Sequence, residues 1–189
     1  MSYYQGIQCI KCGYEGTLEE AFDACPVCGA KGINVNFTTV YDFGDKAKAK
    51  ETFLSAKGKG LGKHREFLPI APETEPVTLG EGDTPLLHLK KLGRSMGLNH
   101  LYLKNESVNP TWSYKDRLCS VAVTRAVQEK RPVVTVSSTG NHGAATAAYS
   151  AAADKPCVIF TLPQVPTTMK TLMQSFGAYV MVTPQPIDR

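Results

Sequence analysis

The chain has 189 residues, 42% of them hydrophobic and 20% charged, with a formal net charge of +4. That length suits one ordinary domain, or a small module joined to a modest one. No run approaches the roughly 18 apolar residues of a membrane span, and Met1-Ser2-Tyr3-Tyr4-Gln5 has neither the basic end nor the apolar stretch of a signal peptide. A cytoplasmic protein with no membrane partner is expected.

From the amino terminus, residues 1–38 are turn-rich and hold four of the six cysteines as Cys9-x-x-Cys12 and Cys25-x-x-Cys28, with twelve residues between the pairs. This is the spacing of a tetrahedral four-thiolate site. Gly13 and Gly29, each just after the second cysteine of a pair, relieve the backbone there. A small zinc ribbon is predicted, with Zn2+ on Cys9, Cys12, Cys25 and Cys28. Four protein ligands close the shell, so the role is structural. So short a segment cannot build an adequate core, and the metal would supply its folding free energy. Iron in a rubredoxin-like site and a degenerate, metal-free ribbon stay open. With no secretory signal, a disulfide framework is the weaker account. Few basic residues decorate this segment (Lys11 and Lys31), so no nucleic-acid partner is expected.

Residues 39–78 read as a connector with one short helix. They contain Gly58-Lys59-Gly60-Leu61-Gly62 and then Pro69, Pro72 and Pro76. The basic residues between 46 and 65 are interrupted by acids and glycines, the texture of a solvated linker.

From 79 to 189 the pattern is regular. A strand is predicted over 101–104, then a helix over 113–130 with Ser113 as N-cap and Asp116 completing a capping box. A buried strand over 133–136 leads through the turn Thr139-Gly140-Asn141 to an alanine-rich helix over 143–153. A strand over 157–162, a helix over 168–176 stopped by Gly177, and a strand over 178–182 follow. Such alternation predicts the α/β class, a parallel sheet with flanking helices. Cys119 and Cys157, alone in apolar segments, read as buried thiols.

Two elements carry chemistry. Asn109-Pro110-Thr111-Trp112-Ser113-Tyr114-Lys115-Asp116-Arg117 places a lysine on the first turn of a helix. There the macrodipole opposes an ammonium and favours the neutral amine that attacks an aldehyde. By itself the arrangement is more often that of an ordinary surface lysine. Ser137-Ser138-Thr139-Gly140-Asn141-His142-Gly143 joins a strand to a helix and offers amides and hydroxyls to an anion such as a carboxylate. Gly140 lets the backbone come close or adopt positive φ.

Together with Leu79-Gly80-Glu81-Gly82-Asp83-Thr84-Pro85-Leu86, these motifs resemble, in order and separation, threonine synthase and its pyridoxal-phosphate (PLP) relatives of fold type II, over residues 79–183. The Cys-rich start and Arg65-Glu66-Phe67-Leu68-Pro69 are also similar to some threonine-synthase-like proteins. The resemblance implies that Lys115 holds PLP as a Schiff base and moves the α-proton, and that Asn141 bonds the ring hydroxyl oxygen. It further implies that Ser138, Thr139 and Gly140 hold the carboxylate of an amino-acid substrate. The implied reaction is elimination or replacement, O-phosphohomoserine going to threonine and phosphate. His142 departs from that pattern and is similar instead to serine and threonine dehydratases and diaminopropionate lyases; Tyr114 stands where phenylalanine is usual. A dehydratase or ammonia-lyase, and a non-catalytic zinc-ribbon binding protein, are the alternatives. The family's phosphate-binding glycine loop comes later in the chain than Asn141. Residues 79–189 are therefore expected to be the amino-terminal part of the catalytic domain, truncated, with weak PLP binding and no activity alone. A homodimer is admitted, though no feature requires one.

Overall fold

The computed structural model of the protein describes residues 2–17 and 19–184. They divide into two compact units. One holds the described residues up to Gly58 together with Lys63–Thr74, and the other holds Lys59–Gly62 and the described residues from Glu75 onward.

In the first unit β1 (Tyr4–Cys9) lies between β2 (Glu15–Gly16) and β3 (Phe37–Tyr41), antiparallel to both. Phe37–Tyr41 straddles the boundary expected between ribbon and connector. The single turn α1 (Pro26–Gly29) starts at a proline, whose fixed φ suits a first helical position. Asp45 caps α2 (Lys46–Ser55) by accepting the amides of Ala47 and Lys48 at 2.9 and 3.2 Å. Most of α2 is solvent-exposed, but aromatic contacts anchor the stretch around it. Phe67 stacks on Tyr3 with ring centroids 4.7 Å apart, and Phe53 stacks on His64 at 4.1 Å. Aromatic side chains spaced too irregularly to show a period have made a small cluster of their own.

The second unit opens with a short antiparallel pair, β4 (Leu86–His88) and β5 (Tyr102–Lys104), with α3 (Lys90–Ser95) between them. Beyond it come α4 (Lys115–Gln128), β6 (Val134–Ser137), α5 (Asn141–Ala152), β7 (Cys157–Thr161), α6 (Thr167–Ser175) and β8 (Tyr179–Val182). The strands β6, β7 and β8 are adjacent in that order and all parallel. The class is α/β, as the alternation predicted. All eight residues from Gly143 to Ser150 are buried, because α5 is packed by α4, α6, β6 and β7. Alanine suits it, since a helix covered on every side must let its neighbours approach closely. One core joins Cys119 and Val123 of α4 to Ala145, Ala148 and Tyr149 of α5; a second joins Ala147 to Cys157, Ile159, Met173 and Ala178. Cys119 and Cys157 are indeed buried free thiols.

Three local expectations are corrected. The glycine stretch 58–62 is not all connector: the Leu61 amide donates to the Glu81 carbonyl at 3.0 Å, and the Gly60 amide to Asp83 Oδ2 at 2.7 Å. Gly60 has φ +63, and a Cβ there would fall 2.4 Å from the Glu81 carbonyl oxygen, so only glycine permits the approach. Second, α4 starts at Lys115 with Tyr114 at its N-cap. Ser113 Oγ accepts the Lys115 amide at 3.2 Å, but no capping box forms: the Asp116 carboxylate takes the amide and hydroxyl of Thr111 at 3.1 and 2.9 Å. The chain reverses at Trp112, bringing Thr111 to that carboxylate. Third, Gly140 has φ −174, an extended backbone rather than a left-handed one.

Candidate active site

Lys115 is half-buried on the first turn of α4. Its charged neighbours are both engaged elsewhere, Asp116 with Thr111 and Arg117 with Glu106. Among the described residues the Lys115 ammonium makes no ion pair; Nζ stands 4.8 Å from the centroid of the Tyr114 ring. One turn further on, Cys119 lies on the same helical face. Its thiol meets the His142 carbonyl at 3.9 Å and the Thr146 hydroxyl at 3.5 Å. The start of α4 therefore faces the start of α5, where Asn141 is the first residue.

The 138–141 turn follows the carboxyl end of β6, the edge where open parallel sheets take ligands. Ser138, 9% exposed, braces it from within: its hydroxyl accepts the amides of Gly140 and Gly143 at 3.2 and 2.8 Å. Thr139 and Asn141 are exposed instead. Among the described residues their amides and side chains have no hydrogen-bond partner. At Gly140 an added Cβ would meet nothing within 4 Å, so open space lies in front of the turn. Uncommitted donors at a helix N-terminus, beside open space and an unpaired amine, suit an anionic aldehyde cofactor with an amino acid's carboxylate.

The bracing beneath these groups is a network the motifs alone do not reveal. Glu106 accepts Arg117 Nε at 2.7 Å and Nη2 at 2.9 Å, Thr84 Oγ1 at 2.6 Å and Asn109 Nδ2 at 2.9 Å. Asn109 Oδ1 in turn accepts the Gly82 amide at 3.1 Å. One carboxylate thus ties the 79–86 loop to the loop that carries Lys115. The Arg117 guanidinium holds the Glu106 carboxyl down to about 2, against the opposing effect of burial. Glu81, 1% exposed, accepts the Tyr149 hydroxyl at 2.8 Å, with Thr78 Oγ1 and the Leu79 amide on the same oxygen. Burial, then Glu81, pushes the Tyr149 phenol far up. The signal in the sequence was Arg117 itself, a guanidinium next to a buried helix start that needs a carboxylate.

In the first unit the four paired cysteines converge. Their sulfurs all lie within 4.8 Å of one another, with Cys9 to Cys28 at 3.8 Å and Cys12 to Cys25 at 3.6 Å. A tetrahedron of sulfurs about 2.3 Å from a zinc ion has edges of about 3.8 Å. The Lys11 amide points at Cys9 Sγ from 3.5 Å, and Gly29 N bonds the Cys25 carbonyl at 2.8 Å, closing the two knuckles. Burial pushes the Cys28 thiol up to about 12.

Comparison with known proteins agrees with the geometry. Residues 77–189 match the family described as pyridoxal-phosphate dependent enzyme. Threonine synthase of Methanocaldococcus jannaschii is 38% identical over 177 residues, 92% of this chain and 42% of that protein. Threonine synthase of Methanosarcina acetivorans is 37% identical over 153 residues, 81% of this chain and 36% of that protein. The chain thus spans about two-fifths of the length of these relatives. Diaminopropionate ammonia lyase from Escherichia coli superposes on 57% of this chain and 33% of its own with a TM-score of 0.54 at 20% identity, a likeness of fold. With the matched region covering both the lysine loop and the 138–141 turn, the chain belongs to the pyridoxal-phosphate-dependent enzyme family.

Proposed function

We propose that residues 77–189 contribute the lysine and the anion-binding turn to a threonine-synthase-like elimination and replacement on a free amino acid in the cytoplasm, O-phosphohomoserine going to threonine and phosphate, a reaction the chain is not expected to complete alone. The observation that carries the reading is the meeting of two helix starts, α4 bearing a lysine without an ion pair and α5 opening behind the unpartnered amides of Thr139 and Asn141, joined through Cys119 and His142. The threonine synthases at 37–38% identity supply the substrate class.

PLP, when bound, supplies an electron sink for the charge left at the substrate's Cα. The chain's own groups do the rest. Lys115 Nζ would hold the cofactor aldehyde and move the substrate's α-proton. Asn141 would offer its side-chain amide to the cofactor's ring hydroxyl oxygen. The Thr139 hydroxyl and the free amides of Thr139 and Asn141 hold the substrate carboxylate at the positive end of the α5 dipole, with Gly140 leaving room for it. Ser138, placed by expectation among the carboxylate ligands, keeps the turn in shape beneath them. Cys9, Cys12, Cys25 and Cys28 hold one structural zinc ion.

Two measurements test this. With PLP in excess, the protein should develop the cofactor's visible absorbance; Lys115→Ala should abolish it and Asn141→Ala weaken it. Phosphate released from O-phosphohomoserine supports the threonine synthase assignment. Ammonia and a 2-oxo acid from serine or threonine would transfer it to the dehydratases, and absorbance unchanged by Lys115→Ala would refute both.

A further inference from the structure

We propose that the first unit carries a binding site for a small carboxylate with an aryl or medium-chain alkyl body, in a groove beside α2. All of its residues belong to that unit, and it stands without the reading of Lys115.

The groove has a volume of about 440 Å³ and is walled by Phe43, Ala49, Phe53, Leu54 and Phe67. Small-molecule sites fall in this range of size and are lined in this way. Along α2 the spacing brings Lys46, Ala49, Lys50, Phe53 and Leu54 to one face, because steps of three and four residues return to the same side of a helix. The rings are held by other rings. Phe43 lies parallel to Tyr41 with centroids 5.7 Å apart, Phe53 stacks on His64 at 4.1 Å, and Phe67 stacks on Tyr3 at 4.7 Å. Phe53 meets Phe67 edge to face at 5.4 Å. The lining is therefore in place before a ligand arrives, which spares the cost of ordering it. Yet Phe43, Phe53 and Leu54 stay 40%, 46% and 71% exposed. Apolar side chains gathered on one groove mark an interaction site, as singly scattered ones do not.

Charge names the rest of the ligand. Lys46 and Lys50 also line the groove, and they stand about 6 Å apart along the helix axis. Among the described residues no carboxylate joins them there, and neither ammonium has an ion pair or a hydrogen bond. Asp45 is spent on the amides of Ala47 and Lys48, and Glu51 lies about 100° round the helix from Lys50. Two ammoniums on flexible stems can converge on one carboxylate while its apolar body lies against the rings. An α-amino acid fits badly, since its own ammonium would meet the same lysines. A second copy of the chain fits badly too: a two-fold contact would set this lysine pair against itself.

The test is an NMR titration of the isotope-labelled chain with 4-phenylbutyrate, with 4-phenylbutylamine and L-phenylalanine as comparisons. Saturable shifts are expected at residues 43, 46–54 and 67 with the carboxylate, and none at those residues with the amine. In Lys46→Gln/Lys50→Gln, both exposed positions, the affinity should fall by about fivefold or more. Leu54→Glu, also at an exposed position, should abolish the shifts. Absence of saturable shifts at these residues overturns the proposal, as does equal binding of the amine or of L-phenylalanine, or an affinity that the double variant leaves unchanged. Sedimentation showing a dimer that Leu54→Glu dissociates would give the groove to a second copy and overturn it as well.

Discussion

Glu106, paired with Arg117, and Cys119, packed against His142 and Thr146, brace the helix start that carries Lys115, and each has a measurable signature. The Glu106 carboxyl sits at about 2 in the folded protein, against an ordinary 4.5, because Arg117 pairs with its charged form. A depressed carboxyl contributes stability that is whole above about 4.5 and is lost as pH falls toward 2. Denaturant midpoints measured across that window should therefore fall less steeply in Glu106→Gln than in the parent; equal slopes would show that the pair does not form. Burial pushes the Cys119 thiol up to about 11. At pH 8 it stays protonated, so iodoacetamide should label it only after unfolding. Rapid labelling in the native state would mean that α4 and α5 are not packed there. Neither residue was legible as important in the sequence. A lone glutamate in 105–108 reads as solvated, and only a guanidinium eleven residues later, brought back by the turn at Trp112, makes it a hub. Lys115 and Asn141 stood out because motif and helix start coincide, and the structure does place each as the first residue of its helix. The engaged hydroxyl of Ser138 was not, since nothing in the sequence says which way it faces.

At the scale of elements, the regular part of the chain was read to within two residues from α4 to β8. Long apolar periods and glycine stops specify such pieces. The pair β4 and β5 is three residues on each side and carries no period, so only the second strand was foreseen. The contact between 59–62 and 79–83 was missed for another reason: it is non-local and made by backbone. That contact predicts a contrast between neighbouring glycines. Gly60→Ala forces a Cβ against the Glu81 carbonyl at positive φ and should cost about 2 kcal/mol or more by chemical denaturation. Gly62→Ala, whose Cβ would meet nothing, should stay within about 0.5 kcal/mol. Equal effects would mean the two loops do not pack.

For the whole molecule, two compact units share one chain, and the residues that match the pyridoxal-phosphate-dependent enzyme family, 77–189, lie in the second. No helix among the described residues is long and apolar enough to cross a membrane. The first unit is predicted to carry about one zinc per chain by metal analysis, lost in Cys28→Ser together with that unit's folded signal; a metal-free protein with the same fold would remove zinc from the account. The central claim is that one lysine among many is the cofactor's anchor. Borohydride reduction of the protein with PLP, followed by peptide mapping, tests it most directly. The account predicts a pyridoxyl mass concentrated on Lys115 and absent from Lys115→Ala, whereas label spread evenly over the surface lysines, with Lys115 no richer than the rest, would contradict it.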